Sequence, residues 1–183
     1  MIDKKRIESL TRSFLEAIGE NPEREGLLDT PRRVAEMCDE LLNPERAKVR
    51  YTTFESGNYA GVVLVKNIEF SSICEHHLLP FIGTVHIAYI PTEKIIGISK
   101  FARIVDKHAK KLQLQEKFAK EVLTDIQDAM NPKGIAVYVE ARHLCMNIRG
   151  ITRRNALTVT TLFSGEFKEF KMQEMFMDMI GNS

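Results

Sequence analysis

The chain has 183 residues, with 26 Lys and Arg against 25 Asp and Glu. This length suffices for one sizeable core and is short for two independent domains. Hydrophobic residues make up 44% and charged residues 28%, a composition that argues against a disordered or a membrane protein. The formal net charge of +1 gives no electrostatic footprint for nucleic acid as a main partner. The segment MIDKKRIESLTRSF lacks the apolar region of a secretory signal, so we expect a cytoplasmic protein.

The first part of the sequence predicts helices. Apolar residues recur at helical spacing over residues 3–19, and Gly19 is a plausible end of that helix. A second helix is predicted from Thr30-Pro31 to about Leu42, because threonine can cap a helix and proline can begin one. Cys38 lies on its apolar face and is expected in the core. Residues 1–55 are therefore predicted as an N-terminal helical region.

From about Gly61 the pattern changes to β-branched segments, each bounded by Gly, Pro or Asn. The four predicted strands are GVVLVKNIEFSS, TVHIAYIP, GIAVYVEARH and ALTVTTLF. Between the second and the third lies a long helical stretch, 99–130, with two apolar faces. The order of two strands, two helices and two strands indicates an α+β fold with helices on one face of an antiparallel sheet. We assign this unit to residues 56–183, including a methionine-rich packing helix over 167–180.

The segment 71-SSICEHHLLPF-81 and the segment 141-ARHLCMNIRG-150 together contain candidate metal ligands. In C-x-x-H, the side chains of Cys74 and His77 can turn toward a common point. Cys145 supplies a third ligand, and no fourth is obvious. Three protein ligands with an open position are typical of a catalytic zinc, because water must occupy the vacancy. The alternative is that these are core residues or part of a structural metal site.

The histidines beside these ligands are candidates for proton transfer. If the strand that contains His143 continues to Cys145, both residues face the same side of the sheet. An imidazole there could shuttle protons. His76 cannot easily bind the same ion as His77, since adjacent side chains diverge, and it is free for acid–base chemistry. The other two histidines are interpreted as ordinary strand and helix residues: His86 and His108.

Three basic stretches could hold phosphate: 30-TPRR-33, 99-SKFAR-103 and 149-RGITRR-154. Lys100 and Arg103 share a face near the positive end of a predicted helix, with Ser99 as its N-cap or as a hydrogen-bond donor. The alternative is a solvated surface, which is the usual environment of lysine and arginine. The sequence contains no G-x-x-x-x-G-K-[ST], so a nucleotide would not bind in a P-loop.

Gln115 and Glu116 lie at the break between the two halves of the long helical stretch. A carboxylate with an adjacent amide can pair with the N1–H and amino edge of guanine. Glu116 could equally be a first-turn helix residue that the helix dipole favours. The spacing alone leaves both interpretations open.

With these motifs identified, the sequence resembles the GTP cyclohydrolase I family throughout. The resemblance covers 21-NPEREGLLDTPRRVAEM-37, 73-ICEHHLLPF-81, 89-YIPTEKIIGISKFARIVD-106, 112-LQLQEK-117 and 143-HLCMNIRG-150. It implies a zinc enzyme that opens the imidazole ring of GTP, releases formate and forms 7,8-dihydroneopterin triphosphate, in the first step of tetrahydrofolate and pterin biosynthesis.

The resemblance also implies a role for each matching residue. The zinc ligands are Cys74, His77 and Cys145. The proton donor and acceptor at the purine ring is His143, His76 assists it, and Ser99 serves in the later ribose rearrangement. Triphosphate binding falls to Arg33, Lys100, Arg103 and Arg149, and purine recognition to Gln115 and Glu116.

The family's fold is the tunnelling fold, and the resemblance implies a toroidal homodecamer with sites between subunits. The sequence departs from the common family pattern at 146-MNI-148 and in the tail after Leu162. Two other functions remain open. One is a tunnelling-fold relative acting on another purine or pterin, such as a deazapurine nitrile reductase, which would need a cysteine nucleophile and a nicotinamide cofactor. The other is a non-catalytic GTP- or pterin-binding module with a structural zinc.

Overall fold

The computed structural model describes residues 2–181 and has a mixed α+β architecture, as predicted. It begins with two helices, α1 (Lys4–Ala17) and α2 (Thr30–Leu41). The Asp3 side chain caps α1 by accepting a hydrogen bond from the Arg6 amide at 3.0 Å. Gly19 follows the helix with φ +86°, in the left-handed region that glycine adopts without strain.

The two N-terminal helices pack mainly against each other. Leu15 of α1 and Ala35 of α2 are buried, whereas Cys38 is only partly buried. The prediction that Cys38 lies in the core is therefore wrong. Two packed helices bury only the narrow strip of each helix that faces the other. On α2 the small residue Ala35 occupies this strip, and Cys38 lies beside it. Several large apolar side chains of this region stay exposed: Leu10, Phe14, Ile18, Leu28 and Met37.

The described residues form seven strands in two sheets. They are β1 (Thr53–Glu55), β2 (Val63–Cys74), β3 (Pro80–Ile90), β4 (Lys94–Ile96), β5 (Leu112–Gln113), β6 (Gly134–His143) and β7 (Thr158–Gly165). The main sheet has the order β5-β2-β3-β6-β7, while β1 pairs with β4. All pairings are antiparallel except that of β5, which lies parallel to the last two residues of β2. The short strands β1, β4 and β5 were not predicted.

The remaining helices are α3 (Ser99–Ala109), α4 (Gln115–Met130), α5 (Leu144–Asn147) and α6 (Phe170–Gly181). Strand β2 ends two residues later than predicted, so Cys74 is its last residue. Strand β3 begins at Pro80, four residues before the predicted start. The turn between these strands, residues 75–79, therefore contains His77 of the C-x-x-H segment and directly follows Cys74. No helix among residues 2–181 is long and apolar enough to cross a membrane.

The main core lies between the sheet and the helices α3 and α4. Phe70 of β2 stacks on Phe118 of α4 with ring centroids 4.6 Å apart, and Tyr89 of β3 stacks on Phe101 of α3 at 5.3 Å. Burial of one such side chain contributes about 1.5–3 kcal/mol, so these contacts fix both helices on one face. The other face carries a smaller cluster around Phe167 and Phe176, next to α6.

Both edges of the main sheet are open over much of their length. Within the described part of the chain, β7 pairs with β6 alone. On the other side, β5 covers β2 at Ile73 and Cys74 only. Unpaired strand edges present backbone N–H and C=O groups that can pair with another chain.

Candidate metal centre

Three potential metal ligands meet at one end of the sheet. The ligand atoms of Cys74, His77 and Cys145 all lie within 4.8 Å of one another. Cys74 is buried, Cys145 is partly buried and His77 is exposed. Two thiols and an imidazole form the donor set that zinc prefers.

The turn after β2 brings His77 back beside Cys74. The Leu78 amide donates to the Cys74 carbonyl at 3.0 Å, and the Cys74 amide donates to the Leu79 carbonyl at 2.9 Å. Leu78 has φ +54°, a left-handed conformation that costs a non-glycine residue about 1 kcal/mol or more. The Glu75 amide donates to the Gln113 carbonyl of β5 at 3.1 Å, which ties the turn to a neighbouring element.

Cys145 reaches the cluster from a short helix. The condition considered for His143, a strand that continues to Cys145, is not met, because β6 ends at His143 and α5 begins at Leu144. The Asn147 side chain donates to the Arg153 carbonyl at 2.5 Å and stabilises this change of direction. Burial and then the neighbouring Cys74 thiol raise the pKa of the Cys145 thiol. A metal cation opposes this effect, since only the thiolate is a ligand.

His143 is the last residue of β6 and is held in a fixed orientation. Its ring stacks on Phe81 of β3 with centroids 4.7 Å apart and planes 2° apart. Its Nε2 atom lies 2.8 Å from Oε1 of Gln115. Burial lowers the pKa of His143, and the carboxylate of Glu116 opposes this shift in part. The net shift favours the neutral form of the ring.

Gln115 and Glu116 begin α4 and face different environments. Gln115 is 1% exposed, and its Nε2, which carries two hydrogens, lies within hydrogen-bond distance of three oxygens. These acceptors are the Val139 carbonyl at 3.1 Å, the Thr158 carbonyl at 3.0 Å and Thr160 Oγ1 at 3.1 Å. Glu116 is exposed in the first turn of the helix. The side chain of Gln115 is thus occupied within the protein, while that of Glu116 is available to a ligand.

His76 lies beside the cluster and outside the ligand set. Its ring centroid is 6.2 Å from that of His77, with the two rings perpendicular. Its side chain is exposed, as is that of Glu75. The structure therefore places a second accessible imidazole next to the candidate metal position.

The predicted phosphate-binding residues of α3 lie far from the metal ligands in the same chain. Ser99 is the first residue of the helix and Ile98 occupies the N-cap position, so the N-cap prediction for Ser99 is one residue off. At the other end of α3, the Ala109 carbonyl accepts a hydrogen bond from Ser72 Oγ, two residues before Cys74. An α-helix rises 1.5 Å per residue, so about 15 Å of helix separates Ser99 from the metal end. Lys100 lies in the first turn of α3 and Arg103 begins the next, about 14 Å and about 9 Å of helix from Ala109.

The other two predicted cations differ in position. Arg33 on α2 is exposed, and its guanidinium lies 3.3 Å from the carboxylate of Asp29, the residue that precedes this helix. Arg149 comes shortly after the end of α5, and its positive charge lowers the pKa of Cys145. Of the four cations, Arg149 is the one that the structure shows to be near the metal ligands.

Two residues of this site had no predicted role. Phe81 supports the ring of His143, and it does so because the β3–β6 register places the two residues opposite each other. Gln113 is fully buried, and its backbone anchors the metal-binding turn. The sequence gives no signal for either role, because both depend on pairing between distant strands.

Comparison with known proteins identifies the family. The model of the family described as GTP cyclohydrolase I matches residues 7–181, which is nearly the whole chain. The chain belongs to the GTP cyclohydrolase I family. The metal cluster, His143 and the Gln115-Glu116 pair all fall within the matched residues.

Relatives in this family match over nearly their full length. A protein named GTP cyclohydrolase 1 from Sulfurihydrogenibium sp. is 45% identical over 184 residues, covering 100% of this chain and 97% of its own. The GTP cyclohydrolase 1 of Acetivibrio thermocellus is 51% identical over 171 residues, covering 92% of this chain and 91% of its own. Among solved structures, an archaeosine synthase QueF-like protein has a TM-score of 0.47 at 23% identity, covering 57% of this chain and 93% of that one.

Proposed function

We propose that the chain is a zinc-dependent GTP cyclohydrolase I that hydrolyses GTP to 7,8-dihydroneopterin triphosphate and formate. The observation that carries this proposal is the convergence of Cys74, His77 and Cys145, within 4.8 Å of one another, in a chain that the family model matches over residues 7–181. The product places the enzyme at the first step of tetrahydrofolate and pterin biosynthesis.

The donor set fits a catalytic zinc. Two thiolates and one imidazole would hold a zinc ion with three protein ligands, the number typical of a catalytic site. Zinc held by Cys74, His77 and Cys145 would supply Lewis-acid activation for the two hydrolytic steps. One flank of this position is accessible, because His77 and its neighbour His76 are both exposed.

His143 is the proposed proton donor and acceptor at the purine ring. A largely neutral imidazole can take up a proton and return it within one cycle. The stacking on Phe81 restricts the ring plane, so little orientational freedom is lost when substrate binds. His76 is proposed to assist from the exposed side of the cluster.

The remaining predicted residues are proposed to orient GTP. The exposed carboxylate of Glu116 suits the N1–H and amino edge of guanine. Ser99 is proposed to act in the ribose rearrangement. The triphosphate is assigned to four cations: Arg33, Lys100, Arg103 and Arg149. Contacts to a triphosphate hold the reacting carbon in place from a distance.

We further propose that the chain adopts the tunnelling fold and assembles into a toroidal homodecamer with sites between subunits. Three observations support this assembly. The edges at β7 and β2 are open, and large apolar side chains near the metal ligands are exposed. In addition, about 14 Å and about 9 Å of helix separate Lys100 and Arg103 from the metal end of α3. The exposed side chains are Leu78, Ile148 and Ile151.

In this proposal residues 1–55 form an N-terminal helical region and residues 56–183 the catalytic region of one structural unit. The packing of α1 mainly on α2 supports the division. The cytoplasm is the proposed location, since GTP is available there.

The deciding experiment measures both products. Zinc-loaded protein incubated with GTP should release formate and give a fluorescent pterin after oxidation, and a chelator should abolish both. A fully zinc-loaded, assembled protein that leaves GTP intact would overturn the proposal. X-ray absorption at the zinc edge separates it from a non-catalytic module, because a fourth protein ligand would indicate a structural zinc.

A further inference from the structure

His143 is fixed by two contacts that come from different elements. Phe81 of β3 sets the plane of the ring through parallel stacking at 4.7 Å. Gln115 of α4 contacts one ring nitrogen, Nε2, at 2.8 Å. The second contact determines more than position, because an amide has a donor end and an acceptor end.

The orientation of the Gln115 amide follows from its partners. One end faces the carbonyl oxygens of Val139 and Thr158, at 3.1 and 3.0 Å. Carbonyl oxygens only accept hydrogen bonds, so this end must be the NH₂ group. A flipped amide would set three oxygens against one another in a site that is 1% exposed. The amide oxygen therefore faces His143.

This orientation determines which nitrogen of His143 carries hydrogen. The amide oxygen only accepts, so Nε2 of His143 must donate to it. In the neutral ring the lone pair is then on Nδ1. Nδ1 makes no hydrogen bond to any of residues 2–181, and it is not among their buried atoms without a partner. It is the ring nitrogen that a ligand can reach.

We propose that Gln115 is a positioning residue that selects the Nε2–H tautomer of His143, so that Nδ1 exchanges the proton with the substrate. Its side chain does not read the base, since its donor end and its oxygen are both used within the protein. The assignment of the tautomer stands on geometry alone, whereas its consequence for catalysis rests on the proposed function.

The first test is spectroscopic and needs no substrate. Solid-state NMR of the zinc-loaded protein labelled with ¹⁵N-histidine reports the tautomer of each ring, and a His143→Asn sample assigns the signal. We expect a protonated Nε2 and an unprotonated Nδ1 for His143 in the unaltered protein. In Gln115→Met, which has a similar volume and no acceptor oxygen, the Nδ1–H form should appear. An Nδ1–H ring in the unaltered protein, or an unchanged ring in Gln115→Met, would overturn the proposal.

The second test separates positioning from base recognition. Gln115→Met should lower kcat by about 10- to 100-fold and change KM for GTP by less than about threefold, because the lost contact acts through His143. A rise in KM at unchanged kcat would overturn the proposal and show that Gln115 reads the base. Gln127→Met is the matched control. Gln127 lies on the same helix, and among the described residues its side chain forms a hydrogen bond with Asn131 alone. If the unaltered protein leaves GTP intact while the NMR result holds, the proposed function fails and the tautomer assignment survives.

Discussion

At the scale of single residues, the metal position depends on one buried thiol and two side chains that the solvent reaches. Cys74 is fixed at the end of β2, whereas His77 and Cys145 arrive from a turn and a short helix. Two thiolates balance the charge of a divalent zinc, so the site can be partly buried without a net charge. Loss of either thiolate removes both a bond and this balance.

Cys145→Ala should therefore lose the metal. We expect zinc content to fall from about one ion per chain to less than about a tenth, and formate release to fall with it, because two ligands hold the ion too weakly. Atomic emission on gel-filtered protein measures the metal. Cys38→Ala is the matched control: Cys38 lies on α2, outside the cluster, and its variant should keep zinc. Equal zinc content in both variants would contradict the assignment of Cys145.

Gly83 of β3 lies opposite Ala141 of β6, where there is no room for a side chain. A Cβ atom there would overlap the carbonyl oxygen of Glu140 and lie 2.7 Å from the Cα atom of Ala141. Gly83→Ala should lower the free energy of unfolding by about 2–3 kcal/mol, measured by urea titration. Gly181→Ala, where a Cβ atom meets nothing within 4 Å, should change it by less than about 0.5 kcal/mol. Similar values for the two variants would contradict this account.

The metal ligands could be predicted from sequence because C-x-x-H is local and only one other cysteine remained outside α2. The sequence argument for His143 assumed a strand that continues to Cys145, but the chain turns into α5 directly after His143. No local sequence pattern indicates that turn. The state of Gln115 could not be predicted at all. Its partners Val139 and Thr158 are 24 and 43 residues away, and strand register brings them together.

At the scale of elements, a polar cluster joins α3 to α4. Lys107 Nζ and His108 Nε2 each lie 2.8 Å from Oδ2 of Asp125, and the hydroxyl of Tyr51 donates to its other oxygen. Burial alone would raise the pKa of Asp125, but the hydrogen bonds from His108, Lys107 and Tyr51 outweigh it and hold the pKa well below the usual range. His108 is thus a structural helix residue that ties two helices together.

Because of this cluster, we expect the free energy of unfolding to decrease as the pH falls into the acidic range. The folded pKa of Asp125 lies below its unfolded value of about 4, so the contribution is complete above that pH and is lost as pH falls toward the folded pKa. Asp125→Asn should lower the free energy of unfolding at pH 7 by about 2 kcal/mol. Between pH 5 and pH 3, the free energy of unfolding should fall less steeply in this variant than in the unaltered protein. Urea titrations of metal-free protein measure both, which removes any effect of zinc release.

Asp128→Asn is the control for this cluster. Asp128 is exposed one turn along the same helix, and its variant should stay within about 0.5 kcal/mol of the unaltered protein at every pH. A pH profile that Asp125→Asn shares with the unaltered protein would show that another carboxylate carries the acid dependence. The sequence patterns of α3 and α4 did not predict the cluster. Periodicity identifies the apolar face of each helix but does not show which polar side chains of two helices contact each other.

At the scale of the whole molecule, one chain contains the metal ligands but holds two of the proposed phosphate ligands at a distance. Lys100 and Arg103 lie about 14 Å and about 9 Å along α3 from Ala109, at the end that contacts β2 near Cys74. The open edges at β7 and β2 provide a way for copies of the chain to join. The β-strand patterns predicted four strands, whereas the sheet edges and the short parallel strand β5 depend on contacts that sequence patterns do not show.

Subunit mixing tests whether each site draws on two chains. Cys145→Ala and Arg103→Ala should each be nearly inactive, the first without metal and the second without a phosphate ligand. If the two residues serve one site from different chains, co-expressed mixed oligomers should recover about a quarter of the activity, the share of interfaces intact on both sides under random assembly. The control mixes Cys145→Ala with Cys74→Ala, both in the metal cluster of one chain, and should recover none. Mass spectrometry confirms that mixed oligomers form, and inactivity of the first mixture would place Arg103 and Cys145 in the site of a single chain.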